Sequence, residues 1–292
     1  MMNYKLKIAT MKNVLILACV LAVTGAQATE RDKILINKEY PISKNGFLLE
    51  VENIFGSVEI EESAGSMIQL ELQINISARN MELLERAKLE LSIREQEFEN
   101  ELILSMKAPF IEEYREGGRI VGRSIHHGPR YDFNYEWKLK VPKGVDVTAS
   151  TVNDGDVLIS GAFGSISASN VNGDVFIEKA SEVEEARTVN GQVEVYFADK
   201  PTIEGSYSTI NGDITLYMNN PRLTLSAKTM HGEMYSAFDF EQLPARLVTN
   251  KSQRSRATEY KIEEKVLAKI GNEEGPELSF STLNGNIYLK KI

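Results

Sequence analysis

One phrase is written six times in this chain, and that repetition limits the fold more than any other feature. "STVNDGDVLIS", "ASNVNGDVFIEKA", "ARTVNGQVEVY", "STINGDITLYM", "AKTMHGEMYSA" and "STLNGNIYLKK" share the core Thr-Φ-Asn-Gly-Asp-Φ-x-Φ, where Φ is apolar. Its glycines are Gly155, Gly173, Gly191, Gly212, Gly232 and Gly285, and the first four intervals are 18, 18, 21 and 20 residues. Self-similarity at such a period is the signature of a stacked repeat architecture.

Asn-Gly between apolar runs is ordinarily a two-residue hairpin signal. Here parity argues otherwise. In such a hairpin Val171 and Asp174 would pair on one face, one apolar and one charged. Read straight through, Val171, Gly173, Val175 and Ile177 share a face, as do Val189, Gly191, Val193, Val195 and Ile210, Gly212, Ile214, Leu216. The pattern predicts a strand that bends at the glycine rather than one that reverses. The extra residue in "VNDGDV" is expected to form a bulge at that bend. Twenty residues extended at ~3.3 Å each would run ~66 Å, so each repeat must fold into two or three short strands. The expected fold is therefore all-β, a β-solenoid-like stack of about 20-residue rungs. The six glycines are its structural corners, and Asn172, Asn190 and Asn211 form an amide ladder along one edge. The alternative for Asp156, Asp174 and Asp213, a Ca²⁺ or catalytic site, fits poorly with Gln192, Glu233 and Asn286 at the equivalent positions.

Ahead of the repeats, "VENIFGSVEIEES" reads as a divergent first rung around Gly56. "MIQLELQINIS" alternates Ile68, Leu70, Leu72, Ile74 and Ile76. "ARNMELLERAKLE" reads as the one short helix, over 78–90, capped by Ser77. "YDFNYEWKLKVP" alternates Tyr131, Phe133, Tyr135, Trp137, Leu139 and Val141 with polar residues, as a buried sheet face does; the other use of such a stripe is a carbohydrate-stacking platform. "RATEYKIEEKVLAKIG" reads as a hairpin inside a long insertion. "PELSFSTLNGNIYLKKI" is expected to close the stack as a terminal rung, its "KKI" discouraging edge pairing.

Residues 1–28 read as a signal peptide: Lys5, Lys7 and Lys12, then the apolar run Val14–Val23, then Ala-Gln-Ala before Thr29. Met11 is an alternative start. The only cysteine, Cys19, lies within the apolar run; a lipoprotein acylated there is the minor alternative. The mature chain is expected to contain no transmembrane segment, to be exported to the periplasm or cell surface, and to divide into 29–145, a β-rich region with the helix and a basic loop, and 146–292, the repeats. The two parts are also readable as one continuous stack.

The formal net charge of −9 argues against nucleic acid as a partner. Within this acidic chain "FIEEYREGGRIVGRSIHHGPR" is the most basic stretch. Its Arg115, Arg119, Arg123, His126, His127 and Arg130 are the candidate binding residues, for an anionic envelope component or a protein partner. The adjacent histidines would point oppositely in a strand and do not chelate one ion. His231 takes the Asn place of a repeat and reads as structural. No P-loop, HExxH, CxxC or GxSxG motif occurs. No catalytic residue, metal or cofactor is expected; a carboxylate pair on a β-helix, as in a carbohydrate-active enzyme, is the catalytic alternative.

"VENIFGSVEI", a short helix, "LKVPKGVDVTASTVNDGDV" and "GPELSFSTLNGNIYLKK" occur here in an order that resembles the bacterial adhesin-like β-strand-repeat family, a domain family of unknown function. The resemblance spans the mature chain. It implies an exported, repetitive all-β protein, adhesin-like or a scaffold or binding protein of the cell envelope, with no catalytic residues to carry over. A periplasmic envelope-stress accessory role is a further alternative. The basic 110–130 stretch and the 241–280 insertion have no counterpart in the family's core.

Overall fold

The computed structural model describes residues 29–42, 46–116, 119–125, 128–244, 247–251, 258–262 and 266–292. The expected signal peptide, 1–28, lies outside the described residues. The fold is all-β with a single helix among the described residues, and most strands gather in two large open sheets of ten and eleven strands. Neither sheet closes into a barrel.

Each repeat gives one strand to each sheet. Ile166–Ser169 lies in the eleven-stranded sheet, residues 170–174 turn the corner, and Val175–Ala180 lies in the ten-stranded sheet. The next repeats do the same with Val183–Arg187 and Val193–Phe197, then with Gly205–Ser208 and Ile214–Met218. Equivalent strands pair in parallel, so that Val157, Val175, Val193, Ile214 and Ile287 fall in one register. Strict alternation then fills the space between the sheets: Val175 and Ile177 point in, Phe176 and Glu178 point out. A fully buried side chain of this size contributes roughly 1.5–3 kcal/mol, and the repeats line up dozens. Strands from the two halves of the chain pair directly, Leu48–Glu52 with Asp146–Ser150 and Val58–Ser63 with Val157–Ser160.

Both sheets are mixed, which a uniform solenoid does not describe. At one end Glu30–Pro41, Met67–Ala78 and Tyr131–Pro142 pair antiparallel, as do Ser92–Phe98 and Glu101–Lys107. At the other end Val266–Ile270 runs antiparallel to both Leu223–His231 and Phe240–Gln242. The first end finishes in a long strand rich in Glu, Lys and Arg, a composition that discourages further pairing. Along Tyr131–Pro142, Tyr135, Trp137 and Leu139 face the interior, as their alternation predicts.

Four details differ from expectation. First, the last repeat, Glu277–Asn284 with Ile287–Lys291, does not close the array. It inserts between Gly205–Ser208/Ile214–Met218 and Leu223–His231/Met234–Ser236, so the sixth phrase is fifth in space. Placed there, Ile287–Lys291 has a parallel partner on each edge, Ile214–Met218 and Met234–Ser236. Second, Thr258–Ile262 pairs with Leu247–Lys251, not with Val266–Ile270, which is taken by the large sheet. Third, the helix spans Met81–Glu90 and is capped by Asn80, whose Oδ1 accepts from Leu83 N at 2.9 Å; Ser77 is still in the preceding strand. Fourth, the corner's parity is not continuous. Thr188 and Thr209 are buried there, whereas Ile210 is 44% exposed.

Candidate functional site

The corners explain why the repeated phrase contains Thr, Asn, Gly and Asp. At Gly173 a Cβ would sit 2.3 Å from the carbonyl oxygen of Gly155; at Gly191 it would sit 2.2 Å from that of Gly173; at Gly212, 1.9 Å from that of Gly191. The column continues through Gly285 against Gly212 and Gly232 against Gly285, and starts with Gly155 against the Gly56 backbone. Each glycine lets a neighbouring backbone approach where any side chain would collide. Gly173 and Gly212 also adopt φ of +155°.

Close approach buries each glycine carbonyl, and the Thr of the next repeat satisfies it. Thr151 Oγ1 donates to Gly56 O at 2.7 Å, Thr188 to Gly173 at 2.8 Å, Thr209 to Gly191 at 3.0 Å, Thr282 to Gly212 at 3.2 Å and Thr229 to Gly285 at 3.0 Å. Where the phrase has Asn170 instead, its Nδ2 donates to Gly155 O at 3.0 Å. A buried acceptor left unpaired costs about 1–3 kcal/mol, which is why the slot holds a donor rather than a valine.

The Asn place forms an amide ladder on the outside. Asn172 Nδ2 donates to Asn153 Oδ1, Asn190 to Asn172, Asn211 to Asn190 and Asn284 to Asn211, all at 2.7–2.8 Å. His231 follows Asn284 in register and is exposed. Asp154, the extra residue of "VNDGDV", has φ of +61°, the left-handed geometry of a local insertion.

The acidic column is occupied by backbone. Asp156 Oδ1 accepts from Asp174 N at 2.8 Å, Asp174 Oδ1 from Gln192 N at 2.8 Å, and Asp213 Oδ1 from Asn286 N at 2.7 Å. Asn286 Oδ1 accepts from Glu233 N at 2.9 Å. An amide oxygen serves this role as well as a carboxylate, so Asp and Asn interchange along the column. No group of three or more His, Cys, Asp or Glu side chains poised for a metal occurs among the described residues.

The basic stretch folds as a separate two-stranded hairpin, Ile111–Glu116 with Arg119–Ile125. Its register sets Arg123 opposite Glu113 and Arg119 opposite Glu116, with Arg115 opposite Ile120. Two of the three hairpin arginines thus stand opposite an acid in the register. His126 and His127 lie outside the described residues. Arg130 is exposed at the hairpin's base and, with Arg79 and Asn80 at the start of the helix, lines a groove of about 750 Å³. The hairpin thus brings Arg115, Arg119 and Arg123 onto one element, and Arg130 joins the main body.

A surface that the repeat phrase did not single out lies on the outer face of the ten-stranded sheet. Phe176, Tyr196, Tyr217, Tyr288 and Tyr235 sit there on five consecutive strands. Tyr196 and Tyr217 stack at 4.0 Å with planes 4° apart, and Tyr235 stacks on Tyr288 at 5.2 Å. Lys290 Nζ bridges the two pairs, 5.1 Å from the Tyr217 ring centre and 5.2 Å from that of Tyr288. The available signal was an aromatic residue at one of two outward places after each glycine, the "x" of Φ-x-Φ for Phe176, Tyr235 and Tyr288 and two residues later for Tyr196 and Tyr217.

No helix among the described residues is long and apolar enough to cross a membrane. No family model matches the chain, and no curated protein matches it. Solved structures do. One, named a putative cell adhesion protein, from Clostridium sporogenes, is 9% identical over 91% of this chain and 100% of its own, with a TM-score of 0.42. Another, named a putative adhesin, from Bacteroides fragilis, is 11% identical over 89% and 97%, with a TM-score of 0.28. A third, named a putative lipid binding protein, from Parabacteroides distasonis, is 12% identical over 88% and 96%, with a TM-score of 0.29. The structures that this chain resembles thus include bacterial proteins named for adhesion, as the order of its sequence phrases suggested.

Proposed function

We propose that this is an exported, non-catalytic binding scaffold of the bacterial cell envelope, adhesin-like in architecture, whose repeats form a β-solenoid-like rod and whose outer surfaces make the contacts. One observation supports this above the others: the recurring polar residues serve the fold itself. Thr hydroxyls hold glycine carbonyls, asparagines hold each other, and Asp156, Asp174 and Asp213 hold backbone amides of adjacent repeats. The carboxylates of the repeated phrase are thus engaged in holding adjacent repeats together. Export follows from the basic, apolar and small-residue sequence of residues 1–28. N-terminal sequencing of protein recovered from the producing cell's envelope or medium is expected to read from Thr29; a chain beginning at an acylated Cys19 would place it on a membrane instead.

The first binding surface to test is the hairpin and Arg130. Neutralising Arg115, Arg119, Arg123 and Arg130 together is expected to weaken binding to isolated envelope material. Attraction to an anionic partner from an acidic protein must come from a local basic surface. The difference from wild type should shrink with salt, as the Debye length falls from ~10 Å at 0.1 M to ~3 Å at 1 M. Replacing Asp174 and Asp213 by Asn should leave binding unchanged. Loss with the Asn pair and not with the arginine set would return the acidic column to the functional site.

A further inference from the structure

We infer that the aromatic face of the ten-stranded sheet is a binding site for a neutral, linear polysaccharide. This rests on the reading of the protein as a binding scaffold and assigns one ligand class to a surface other than the hairpin. Outward positions on a solvated sheet ordinarily carry charged or small polar residues. Here they carry five aromatic side chains in sequence along the stack, from Phe176 to Tyr235. Strands about 4.8 Å apart make this row about 19 Å long.

The row is rigid before any ligand arrives. Tyr196 and Tyr217 are locked face to face, their hydroxyls tied in turn by Glu194 Oε1, which accepts from Tyr196 at 2.8 Å, and by Lys290 Nζ, which donates to Tyr217 at 3.3 Å. Asn286 Nδ2 donates to the Tyr288 hydroxyl at 3.1 Å. Such fixed, amphipathic rings lose little conformational entropy on binding. The two ends differ in exposure, with Phe176 half-buried and Tyr235 exposed. Phe176 is turned 60° from Tyr196, and Tyr235 is 48% exposed. The middle presents ring edges and phenolic oxygens. A ligand that meets both ends must therefore be a chain of several units carrying apolar C–H surface and hydroxyls together, which is the chemistry of a pyranose polymer.

Charge and area exclude the other occupants. Glu178, Glu194 and Glu233 border the row on a protein of net charge −9, which disfavours nucleic acid and anionic glycan. A band one or two rings wide has the form of a strip, which suits a linear polymer rather than the broad face of roughly 800 Å² per partner that a stable protein complex buries.

The test is native affinity electrophoresis through gels containing hydroxyethyl cellulose, xyloglucan or dextran, with alginate as the anionic comparison, at low and high salt. Wild-type protein is expected to be retarded by at least one neutral polymer, equally at both salt concentrations. Tyr196→Ala/Tyr217→Ala should weaken apparent affinity by roughly tenfold or more, the effect of removing aromatic anchors. Thr215→Arg keeps every ring, places a bulky side chain between Glu194 and Tyr288 in register, and should weaken it similarly with an unchanged melting temperature. Retardation by no neutral polymer, retardation by alginate alone, or full retention in the Thr215→Arg variant would each overturn the assignment. If neutral polymers fail while wild-type protein still binds envelope material, the glycan site alone falls; if envelope binding is also absent, the scaffold reading falls with it.

Discussion

Gly212→Val should lower stability by at least about 4 kcal/mol, beyond the range of ordinary point substitutions. The first atom of any side chain at this position lies 1.9 Å from the Gly191 carbonyl oxygen, which is itself held at 3.0 Å by Thr209 Oγ1. Relief would require parting the two repeats at the corner, breaking the Gly212 N to Asn284 O and Gly191 N to Asn211 O bonds and the amide ladder beside them. Valine adds a second penalty because φ of +155° disfavours a β-branched residue. Asp174→Asn, on the exposed side of the equivalent corner two repeats away, keeps the Oδ1 that accepts from Gln192 N and should cost no more than about 0.5 kcal/mol. Urea unfolding of the two variants beside wild type measures both. A Gly212→Val protein within about 1 kcal/mol of wild type would mean that the repeats do not approach this closely in solution.

The period of the phrase carried the fold to a useful depth. Six glycines at near-constant intervals, with Φ-x-Φ after each, specify parallel pairing of equivalent strands, and Val157, Val175, Val193 and Ile214 do fall in one register. Parity excludes a hairpin at Asn-Gly, as the structure bears out, but it does not place the residues before the glycine. Hydrophobicity alone puts Val171, Val189 and Ile210 inside, whereas none of the three is buried. The interior at that point instead contains backbone carbonyls, and a carbonyl needs a donor. Thr188 and Thr209 take the inward place for that reason. Local pattern cannot report such a demand, since it arises only when two repeats come together.

Spatial order was hidden for a related reason. Parallel pairing energies depend on matching faces, and Glu277–Asn284 with Ile287–Lys291 matches either neighbour about equally well by pattern. Its place between two earlier repeats is decided by Leu223–His231, which pairs with it on one edge and with Val266–Ile270 on the other. The cap of the array is therefore this antiparallel addition, which shares its sheet with Phe240–Gln242, and not the charged C-terminus. The candidate site was legible only as residue types. The basic stretch shows its arginines in sequence, but the cross-strand register that pairs Glu113 with Arg123 is set by the fold of the hairpin. The aromatic row is only partly legible, because Phe176, Tyr235 and Tyr288 hold one outward position of the repeat and Tyr196 and Tyr217 another, and only the pairing of adjacent strands brings the two together.

Alkaline solution should destabilise the protein, and one buried hydroxyl should account for a distinct share of the effect. Tyr207 and Tyr135 are buried between the sheets, Tyr207 stacked on Phe280 at 5.3 Å and Tyr135 on Trp137 at 6.2 Å. Burial opposes the phenolate and holds both groups well above the usual tyrosine range. Below about pH 10 both are neutral in the folded and unfolded chains, and they add no pH dependence. Above it the unfolded chain releases protons that the folded chain keeps, so stability falls as pH rises, until the folded groups ionise as well. The slope is about 1.4 kcal/mol per pH unit for each group, so about 2.7 for the pair. Tyr40 and Tyr131 shift in the same direction, chiefly by burial, and add less because each remains partly in contact with water. Tyr207→Phe keeps the ring and its stacking. It loses a hydroxyl whose bond to Val183 O, at 3.5 Å, is already at the limit of hydrogen-bond reach, so the cost near neutral pH should be about 1 kcal/mol or less. Urea unfolding at intervals from about pH 8 to pH 11 should show the variant losing stability less steeply than wild type above about pH 10, by up to about 1.4 kcal/mol per pH unit. Equal slopes would mean that Tyr207 reaches solvent and ionises within the folded chain, and that the space between the sheets is not the dry interior that this packing implies.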